Sequence, residues 1–366
     1  MRYVTLILLL ILIVACPKPD EKLDPAVCDE GYHPCGPDSQ ECCLDTSSHN
    51  FEWEIHEVGE YWSYFSDIAV IQEDDIWLVG EIVSNGEDYN VAHWDGDSFS
   101  LVQVEPQGYH QAISSIHYFA DNDIWLSAST LPVHWDGITY KLFTPAIDGY
   151  PGGSVIGDIW GGNPSEVYIA GNGGMIVHFD GISFITLNSG TSIDLQEIHA
   201  SDDGEYIFFQ GVHSSGYGST LIQYNSGETT VLYECTTLLP GDDDYGYLDA
   251  CYVTGDLVIS STKAGVWRYN IRDQTSELTP NEITQSANIA IQKVLGNTAN
   301  DYIMCGNLFK FIHYNGASFN HNSQLASYLN DNDSRLFGGV MDGDRAFVCG
   351  AIHGYNFAAL AIGRRE

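Results

Sequence analysis

A short pattern of the form His-aromatic-Asp-Gly, in places reduced to aromatic-Asn, returns along the chain every 41 to 45 residues. Repetition at a fixed period of this length is typical of repeat architectures, in which each copy is one structural unit that buries its apolar face against its neighbours. This period therefore constrains the fold more than any other feature of the sequence. The copies are His93-Trp94-Asp95-Gly96, His134-Trp135-Asp136-Gly137, His178-Phe179-Asp180-Gly181, Gln223-Tyr224-Asn225, Arg268-Tyr269-Asn270 and His313-Tyr314-Asn315-Gly316.

Each copy predicts a β-hairpin. Asp-Gly or Asn-Gly after an alternating apolar run favours a type I′ turn, in which both central residues have positive φ. Upstream of each turn lies a short β-branched and aromatic run bounded by turn residues, as in a strand, and a further strand precedes it. Four strands per ~45 residues is the period of a propeller blade. The runs cover residues 75–80, 123–127, 166–171, 205–211, 256–260, 301–306 and 344–350.

Seven such runs predict seven blades, but the turn pattern occurs six times, and its next copy would fall near the end of the chain. The segment 51–58 stands before the first complete blade and has the pattern of the strands that follow the turns. We therefore expect it to supply the fourth strand of blade 7 by pairing with residues 357–361, which removes a free sheet edge. The sequence predicts an all-β, seven-bladed β-propeller over residues 51–366, closed by this N-terminal strand.

The D-I-W-x-x-G and H-x-D-G patterns resemble those of bacterial secreted β-propeller proteins with degenerate repeats. The resemblance covers residues 51–366 and implies a fold but no activity, because propellers include binding modules and unrelated enzymes. The sialidase-type Ser-x-Asp-x-Gly-x-Thr-Trp box does not occur, nor does a WD40-type pattern.

The N-terminus has the form of an export signal. Arg2 is followed by an apolar run over residues 3–14 that is too short to cross a bilayer, which needs about 20 residues. Ile13-Val14-Ala15-Cys16 resembles the bacterial lipobox, which implies removal of residues 1–15 and attachment of diacylglycerol and palmitate to Cys16. The alternative is ordinary secretory cleavage. We expect an extracytoplasmic, membrane-anchored protein, and Pro17, where an Asp would retain it at the inner membrane, favours the outer membrane in a Gram-negative cell.

Residues 16–27 are charged and proline-punctuated, as in an acylated tether. Without Cys16, eight cysteines remain in an oxidising location, so we expect disulfide bonds. Residues 28–43 predict a small disulfide-rich segment with three alternative pairings among Cys28, Cys35, Cys42 and Cys43. Zinc is the alternative there, although the spacings do not match those of structural zinc modules. We expect Cys235 and Cys251 to close a long loop, while the state of Cys305 and Cys349 stays open.

The chain carries 50 acidic and 13 basic residues, a formal net charge of −37. Nucleic acid is excluded as a partner, because phosphate binding needs clustered Lys and Arg. The charge favours a solubilising surface, with affinity for Ca²⁺ or for a cationic partner as the alternative. No EF-hand loop occurs. We therefore expect no cofactor, leave Ca²⁺ as an alternative, and assign no metal ligands.

One face of the propeller is the predicted binding surface. The loops between blades and those between second and third strands emerge on the same side, and they are rich in tyrosine, which supplies contact area at low entropic cost. A Cys235–Cys251 bond would stiffen one of them. The candidates are Tyr61, Trp62, Tyr64, Tyr109, His110, Tyr150, His213, Tyr217, Asp242, Asp243, Asp244, Tyr245, Tyr247, His353 and Tyr355.

A second candidate site is the mouth of the central channel. One polar residue stands just before the first apolar residue of several innermost strands, and a ring of such side chains would hold a cation or a basic group. The alternative is that they accept neighbouring backbone N–H groups. The row comprises Asp67, Ser115, Asp158, Glu197 and Asp249. For the repeated histidines we favour a structural role over a metal ring.

These features predict a lipid-anchored, monomeric, non-catalytic module that binds a protein or glycan through the Tyr-rich face. The alternative is an envelope hydrolase or lyase acting on polysaccharide or peptide, with histidines and aspartates of the same face as acid and base. No nucleophile elbow, phosphate loop or HExxH pair supports it, so no catalytic residue is assigned and activity stays open. A third alternative is a structural assembly factor of the envelope.

Overall fold

A computed structural model describes residues 46–212, 218–235, 248–262, 264–280, 291–307, 310–322, 325 and 333–365, together with the backbone of 32–34 and 42–44. The chain divides into two units, residues 1–44 and 45–366. In the first, β1 (Tyr32–Pro34) pairs with β2 (Cys42–Leu44) in a hairpin. Cys16, the tether, Cys28 and Cys35, and the side chains of Cys42 and Cys43, lie outside the described residues. No helix among the described residues is long and apolar enough to span a bilayer.

The second unit is a ring of seven four-stranded antiparallel sheets, which confirms the predicted propeller. Blades 1 to 3 consist of β4 (Tyr64–Gln72), β5 (Asp75–Ser84), β6 (Glu87–Trp94) and β7 (Phe99–Val102); β8 (Ile113–Ala120), β9 (Asp123–Ala128), β10 (Leu131–Trp135) and β11 (Tyr140–Leu142); and β12 (Ile156–Asn163), β13 (Glu166–Gly171), β14 (Met175–Phe179) and β15 (Phe184–Leu187). The short helix α1 (Pro145–Asp148) follows β11.

Blades 4 to 7 continue the same order from the channel outward. They consist of β16 (Leu195–Ala200), β17 (Ile207–Val212), β18 (Ser219–Asn225) and β19 (Glu228–Cys235); β20 (Leu248–Thr254), β21 (Leu257–Thr262), β22 (Gly265–Asn270) and β23 (Thr275–Pro280); β24 (Ile291–Thr298), β25 (Asp301–Gly306), β26 (Phe311–Tyr314) and β27 (Phe319–His321); and β28 (Arg335–Asp342), β29 (Arg345–Ile352), β30 (Phe357–Arg365) and β3 (Phe51–Val58).

The ring closes as predicted, through the N-terminal strand. β3 pairs with β30 from Phe51 opposite Arg365 to Val58 opposite Ala358. The Arg365 guanidinium donates to both carboxylate oxygens of Asp301 at 2.7 Å, and the hydroxyl of Ser47 donates to the same carboxylate at 2.7 Å. Both ends of the propeller chain are thereby tied to blade 6.

The apolar core lies between neighbouring blades, because each sheet is covered on both faces and its strands carry apolar residues on both. Where blade 1 meets blade 7, Phe65, Ile76 and Leu78 pack with Phe347 and Leu360, all of them fully buried.

Every innermost strand has a β-bulge at the same level, near the end where it enters its blade. The glycine of the D-I-W-x-x-G pattern is explained by this bulge. A Cβ on Gly80 would lie 2.0 Å from the Tyr64 carbonyl oxygen, and one on Gly350 would lie 1.9 Å from that of Arg335. At the bulge, the backbone of the innermost strand therefore lies directly against the glycine of the second strand. The bulge also changes the direction of the side chain that follows it.

The predicted type I′ turns are wrong, although each turn does join two antiparallel strands. Between Trp94 and Phe99 lie four residues, and of these Gly96 alone has positive φ. The Asp95 carboxylate accepts the N–H groups of Asp97 and Ser98 at 3.0 and 2.8 Å. Asp136, Asp180 and Asn315 do the same in their own turns. The repeated Asp or Asn thus stabilises a longer loop by side-chain hydrogen bonds.

The predicted Cys235–Cys251 disulfide is also wrong, since both residues are buried thiols. Cys235 ends the outermost strand of blade 4, whereas Cys251 lies in the innermost strand of blade 5. Four strands span about 14 Å at ~4.8 Å per spacing, and a disulfide needs Cα atoms within about 7 Å. Cys305 and Cys349 are thiols as well, and burial raises the pKa of Cys305 to about 12 and that of Cys349 well above its usual range.

Candidate functional site

A cavity of about 520 Å³ opens at one mouth of the central channel. Its lining residues come from the bulged ends of the innermost strands, which the chain enters from the loops between blades. Tyr64, Gly157, Gln196, Asp249 and Lys293 are among them. The cavity therefore lies on the face that also carries the predicted binding loops.

The residues that follow the bulge form a seven-membered ring around the channel. The strand register gives this position to four of the residues proposed from the sequence, in blades 1 to 4. In blade 5 the equivalent residue is Ala250, because Asp249 is the bulged residue itself, although it still lines the cavity. Lys293 of blade 6 was missed, yet it stands just before an apolar residue of its innermost strand, like the others. The ring reads Asp67, Ser115, Asp158, Glu197, Ala250, Lys293 and Gly338.

Four members of the ring link each blade to the next. A side-chain oxygen in one blade accepts the N–H of the residue after the ring position in the following blade, as the alternative interpretation held. These bonds satisfy backbone donors that the bulge takes out of the sheet. They join Ile116 N to Asp67 Oδ2 at 3.1 Å, Ile159 N to Ser115 Oγ at 3.1 Å, Ile198 N to Asp158 Oδ2 at 2.9 Å and Cys251 N to Glu197 Oε2 at 3.2 Å.

The ring also holds a basic group, and the chain itself supplies it. Lys293 Nζ lies 3.1 Å from Glu197 Oε1. Burial opposes the charge on Lys293, but Glu197, Asp158 and Asp67 outweigh it and raise the pKa of the ammonium above its usual value. Burial likewise opposes ionisation of Glu197, but Lys293 and hydrogen bonds outweigh it and lower the pKa of that carboxyl. Both groups are therefore charged at neutral pH.

Asp67 differs from its neighbours in the ring. Burial raises the pKa of its carboxyl to about 6, and the nearby charge of Asp158 adds to this, while Lys293 offsets only a part. Its charge therefore changes between mildly acidic and neutral pH. Above that range three ring carboxylates face one ammonium, and the mouth is acidic.

An aromatic cluster adjoins the cavity where blade 1 meets blade 7. Ring centroids are 5.0 Å apart for Tyr61–Trp62, 6.4 Å for Trp62–Tyr355, 5.8 Å for Tyr355–Tyr64 and 6.2 Å for Tyr64–Phe337. Tyr61 and Trp62 are 59% and 57% exposed, whereas Tyr64 and Phe337 line the cavity. A continuous aromatic surface thus runs from the rim to the acidic mouth. The sequence identified four of its members and missed Phe337.

The backbone under this cluster is held in an uncommon conformation. Trp62 and Tyr355 have φ of 76° and 66°, in the left-handed region that bulky residues rarely adopt. The Tyr355 carbonyl accepts the N–H groups of Trp62 at 2.6 Å and Ser63 at 3.1 Å, which fixes the two loops to each other. Arg335 lies over the Tyr355 ring at 5.6 Å. Such backbone strain, held by surrounding structure, is concentrated at functional sites.

The other predicted face residues separate into groups. Tyr150 is wrong as a ligand contact, because it is 0% exposed and packs 5.3 Å from the Phe184 ring. Tyr109 is half-buried against the core between blades 1 and 2, His110 beside it is half-buried, and His353 is exposed between β29 and β30. His213, Tyr217, Asp242, Asp243, Asp244, Tyr245 and Tyr247 lie outside the described residues.

The opposite face is regular. Nε2 of His93, His134 and His313 lies 2.8 Å from a carboxylate oxygen at the start of the second strand of the same blade. The His93 ring packs on Trp77 with centroids 4.5 Å apart, and that of His134 packs on Trp125 at 4.9 Å. These three histidines thus contact a carboxylate of their own blade, whereas Nε2 of His178 makes no hydrogen bond and its ring stacks on Tyr168 with centroids 4.5 Å apart. The contacts support the structural interpretation of the repeat.

No protein-family model and no curated protein sequence matches the chain. Among solved structures, YCF48 bound to a D1 peptide is similar with a TM-score of 0.64 and 14% identity, over 88% of this chain and 98% of that one. YCF48 from Cyanidioschyzon merolae has a TM-score of 0.59 and 13% identity, over 85% and 98%. The extracellular domain of the putative one-component system BT4673 from B. thetaiotaomicron has a TM-score of 0.58 and 14% identity, over 84% of this chain and 39% of that one. At such identities the likeness shows that the chain shares the propeller fold of these proteins.

Proposed function

We propose that this chain is a non-catalytic, extracytoplasmic binding module that holds a protein segment against the aromatic cluster and the channel mouth. The observation that carries the proposal is the continuity of two exposed aromatic rings, Tyr61 and Trp62, with the acidic cavity through Tyr64 and Phe337. Large aromatic side chains at a concave edge are typical anchors of protein interfaces.

The charge of the site favours a basic segment. The ring presents Asp67, Asp158 and Glu197 against Lys293, Asp249 lines the same cavity, and the whole chain has a net charge of −37. Such a field attracts cationic partners and repels acidic ones. A Lys or Arg side chain entering the mouth from an extended segment would lie between carboxylates and aromatic rings, and both surroundings favour a cation.

The fold comparison adds support, because one similar propeller was solved with a bound peptide. A catalytic role has weaker support from the described residues. The ring carboxylates of Asp158 and Glu197 already accept backbone N–H groups, and Glu197 also pairs with Lys293. These contacts suit carboxylates with a structural and electrostatic role better than a general acid and base.

Display of the full-length, detergent-solubilised chain to a random peptide library tests the proposal. We expect it to retain peptides rich in Lys or Arg, and we expect the double variant Tyr61→Ser and Trp62→Ser to lose them. The matched control is Ile138→Ser with Ile182→Ser, which removes two side chains 83% and 91% exposed in the turns of the opposite face. Retention of no peptide, or of the same peptides by the aromatic variant, would overturn the proposal. Binding of a polysaccharide panel in place of peptides would make the ligand a glycan.

Anchoring is the second part of the proposal. Lipidation of Cys16 would hold the propeller at the envelope surface on the tether of residues 16–27, with the outer membrane favoured in a Gram-negative cell. Cells grown with labelled palmitate should incorporate it into the wild-type chain but not into Cys16→Ser. Equal labelling of both chains would contradict the lipid anchor.

A further inference from the structure

Three potential metal ligands of different chemistry meet in the wall between blades 4 and 5. Glu197 and His199 lie two residues apart on β16 and so project from the same side of the strand. Cys251 lies on β20, the innermost strand of the next blade. One ligand atom from each of the three lies within 4.8 Å of the other two. Glu197 is 4% exposed and Cys251 is fully buried.

Two buried polar atoms in or beside this group lack the well-formed hydrogen bonds that burial normally demands. The Nε2 atom of His199 is buried without a hydrogen bond of good geometry, and its polar neighbours are Glu197 Oε2 at 3.5 Å and the Cys251 thiol. Gln210, which pairs with Glu197 across the sheet, is fully buried, and its Oε1 accepts no hydrogen bond. Leaving such atoms unsatisfied costs free energy, so each requires an explanation.

We propose that Glu197, His199 and Cys251 bind a divalent zinc ion. A thiolate, an imidazole and a carboxylate are together typical of zinc, whereas calcium and magnesium prefer oxygen ligands alone. Around a tetrahedral zinc, ligand atoms lie about 3.4–3.6 Å apart. The His199 and Glu197 atoms already have this spacing at 3.5 Å, and the Cys251 thiol, within 4.8 Å of the other ligand atoms, must approach by at most about 1.3 Å. Three protein ligands leave the fourth position to water.

The charges around the group are compatible with an added cation. Lys293 contacts Oε1 of Glu197, whereas Oε2 accepts the Cys251 N–H at 3.2 Å and faces His199. With zinc bound, the Cys251 thiolate, Glu197 and the ring carboxylates of Asp67 and Asp158 oppose the charges of the ion and of Lys293. The bound ion would join the innermost strands of two adjacent blades beside the channel mouth. The zinc proposal does not rest on the proposed peptide binding, although Glu197 belongs to both sites.

Cobalt(II) titration of the full-length chain under a non-thiol reductant tests the site. We expect tetrahedral d–d bands and a thiolate-to-cobalt charge-transfer band, both abolished by one equivalent of zinc. The Cys251→Ser variant should lose the charge-transfer band. The matched control Cys305→Ser, which removes another fully buried thiol of the propeller, should keep it. Cysteines 28–43 are present in both variants, so the difference isolates Cys251.

Thermal unfolding provides a second readout that does not depend on the cysteine variant folding. Zinc should raise the Tm of the wild-type chain, and this increase should be lost in His199→Gln, a partly exposed position. Absence of the charge-transfer band from the wild-type chain, or its persistence in Cys251→Ser, would overturn the proposal. A Tm that zinc does not change would do so as well and would leave a thiol–imidazole contact without metal.

Discussion

The two faces of the propeller differ in how regularly their residues repeat from blade to blade. On the face of the hairpin turns, blades 1, 2 and 6 share a histidine–carboxylate pair, blades 1 and 2 also share a tryptophan against the histidine ring, and four turns share one capping pattern. On the other face the ring positions change from blade to blade, from carboxylate to hydroxyl, lysine or glycine. The repeated contacts stabilise the individual blades that carry them. Positions that differ from blade to blade can serve a function that the ring performs once, such as binding one ligand.

The largest expected effect lies on the irregular face, at Lys293. Lys293→Met removes the ammonium that pairs with buried Glu197 beside Asp67 and Asp158, and should lower the free energy of unfolding by about 3–5 kcal/mol. The matched control is Lys141→Met, whose ammonium pairs with Asp148 at 3.1 Å on the surface and should contribute less than about 1 kcal/mol. Denaturant unfolding of the three proteins measures both. Equal losses would mean that the ring charges are not coupled.

Asp67→Asn should change how stability depends on pH. Because burial raises the pKa of Asp67 to about 6, the stability of its neutral form is present below the unfolded pKa and is lost as pH rises through 6. The variant lacks this loss, while Lys293 and Asp158 remain in both proteins. The free energy of unfolding of the variant, relative to that of the wild type, should therefore rise by on the order of 2–3 kcal/mol between about pH 4 and 7.

A comparison with the other face sharpens this test. Hydrogen bonds from the backbone N–H groups of Ser98 and Asp97 lower the pKa of the Asp95 carboxyl. The contribution of Asp95 to stability is therefore present at neutral pH and is lost as pH falls. Asp95→Asn should therefore lose stability relative to wild type as pH rises, opposite in sign to Asp67→Asn. Unfolding curves across the pH range measure both, and differences of the same sign would contradict the assignment of the two environments.

A smaller effect is expected at His134. His134→Ala removes the contact with Asp123 and the packing on Trp125, and should lower the free energy of unfolding by about 1–2 kcal/mol. Peptide retention should not change, because this histidine is on the regular face. If binding were lost while stability was unaffected, the histidine would be part of a binding site.

The blades and their closure could be predicted from the sequence because both follow from local patterns. Alternation and period locate the strands, and the unmatched segment 51–58 is complementary to the incomplete blade 7. The turn type could not be predicted from Asp-Gly alone, because the capping hydrogen bonds of Asp95 favour a four-residue loop.

The site was predictable only in part. The polar residues just before the innermost strands include four members of the ring. The β-bulge sets the strand register, however, and in blade 5 it assigns the ring position to Ala250 and not to Asp249. Phe337 and Tyr64 are far apart in sequence and meet because the ring closes. Likewise, an even number of cysteines does not show which strand of a blade each cysteine occupies. Cys235 lies on an outermost strand and Cys251 on an innermost strand, so the two are too far apart to pair.

Site-specific photo-crosslinking in cells tests the central claim most directly. A photoreactive residue at Tyr61 should trap a partner protein through a Lys- or Arg-rich segment, identifiable by mass spectrometry of the crosslinked peptide. The same group at Ile182, which is more exposed than Tyr61 and lies on the regular face, should trap nothing at comparable yield. Equal crosslinking at both positions, or crosslinking at Ile182 alone, would contradict the assignment of binding to the aromatic cluster and the channel mouth.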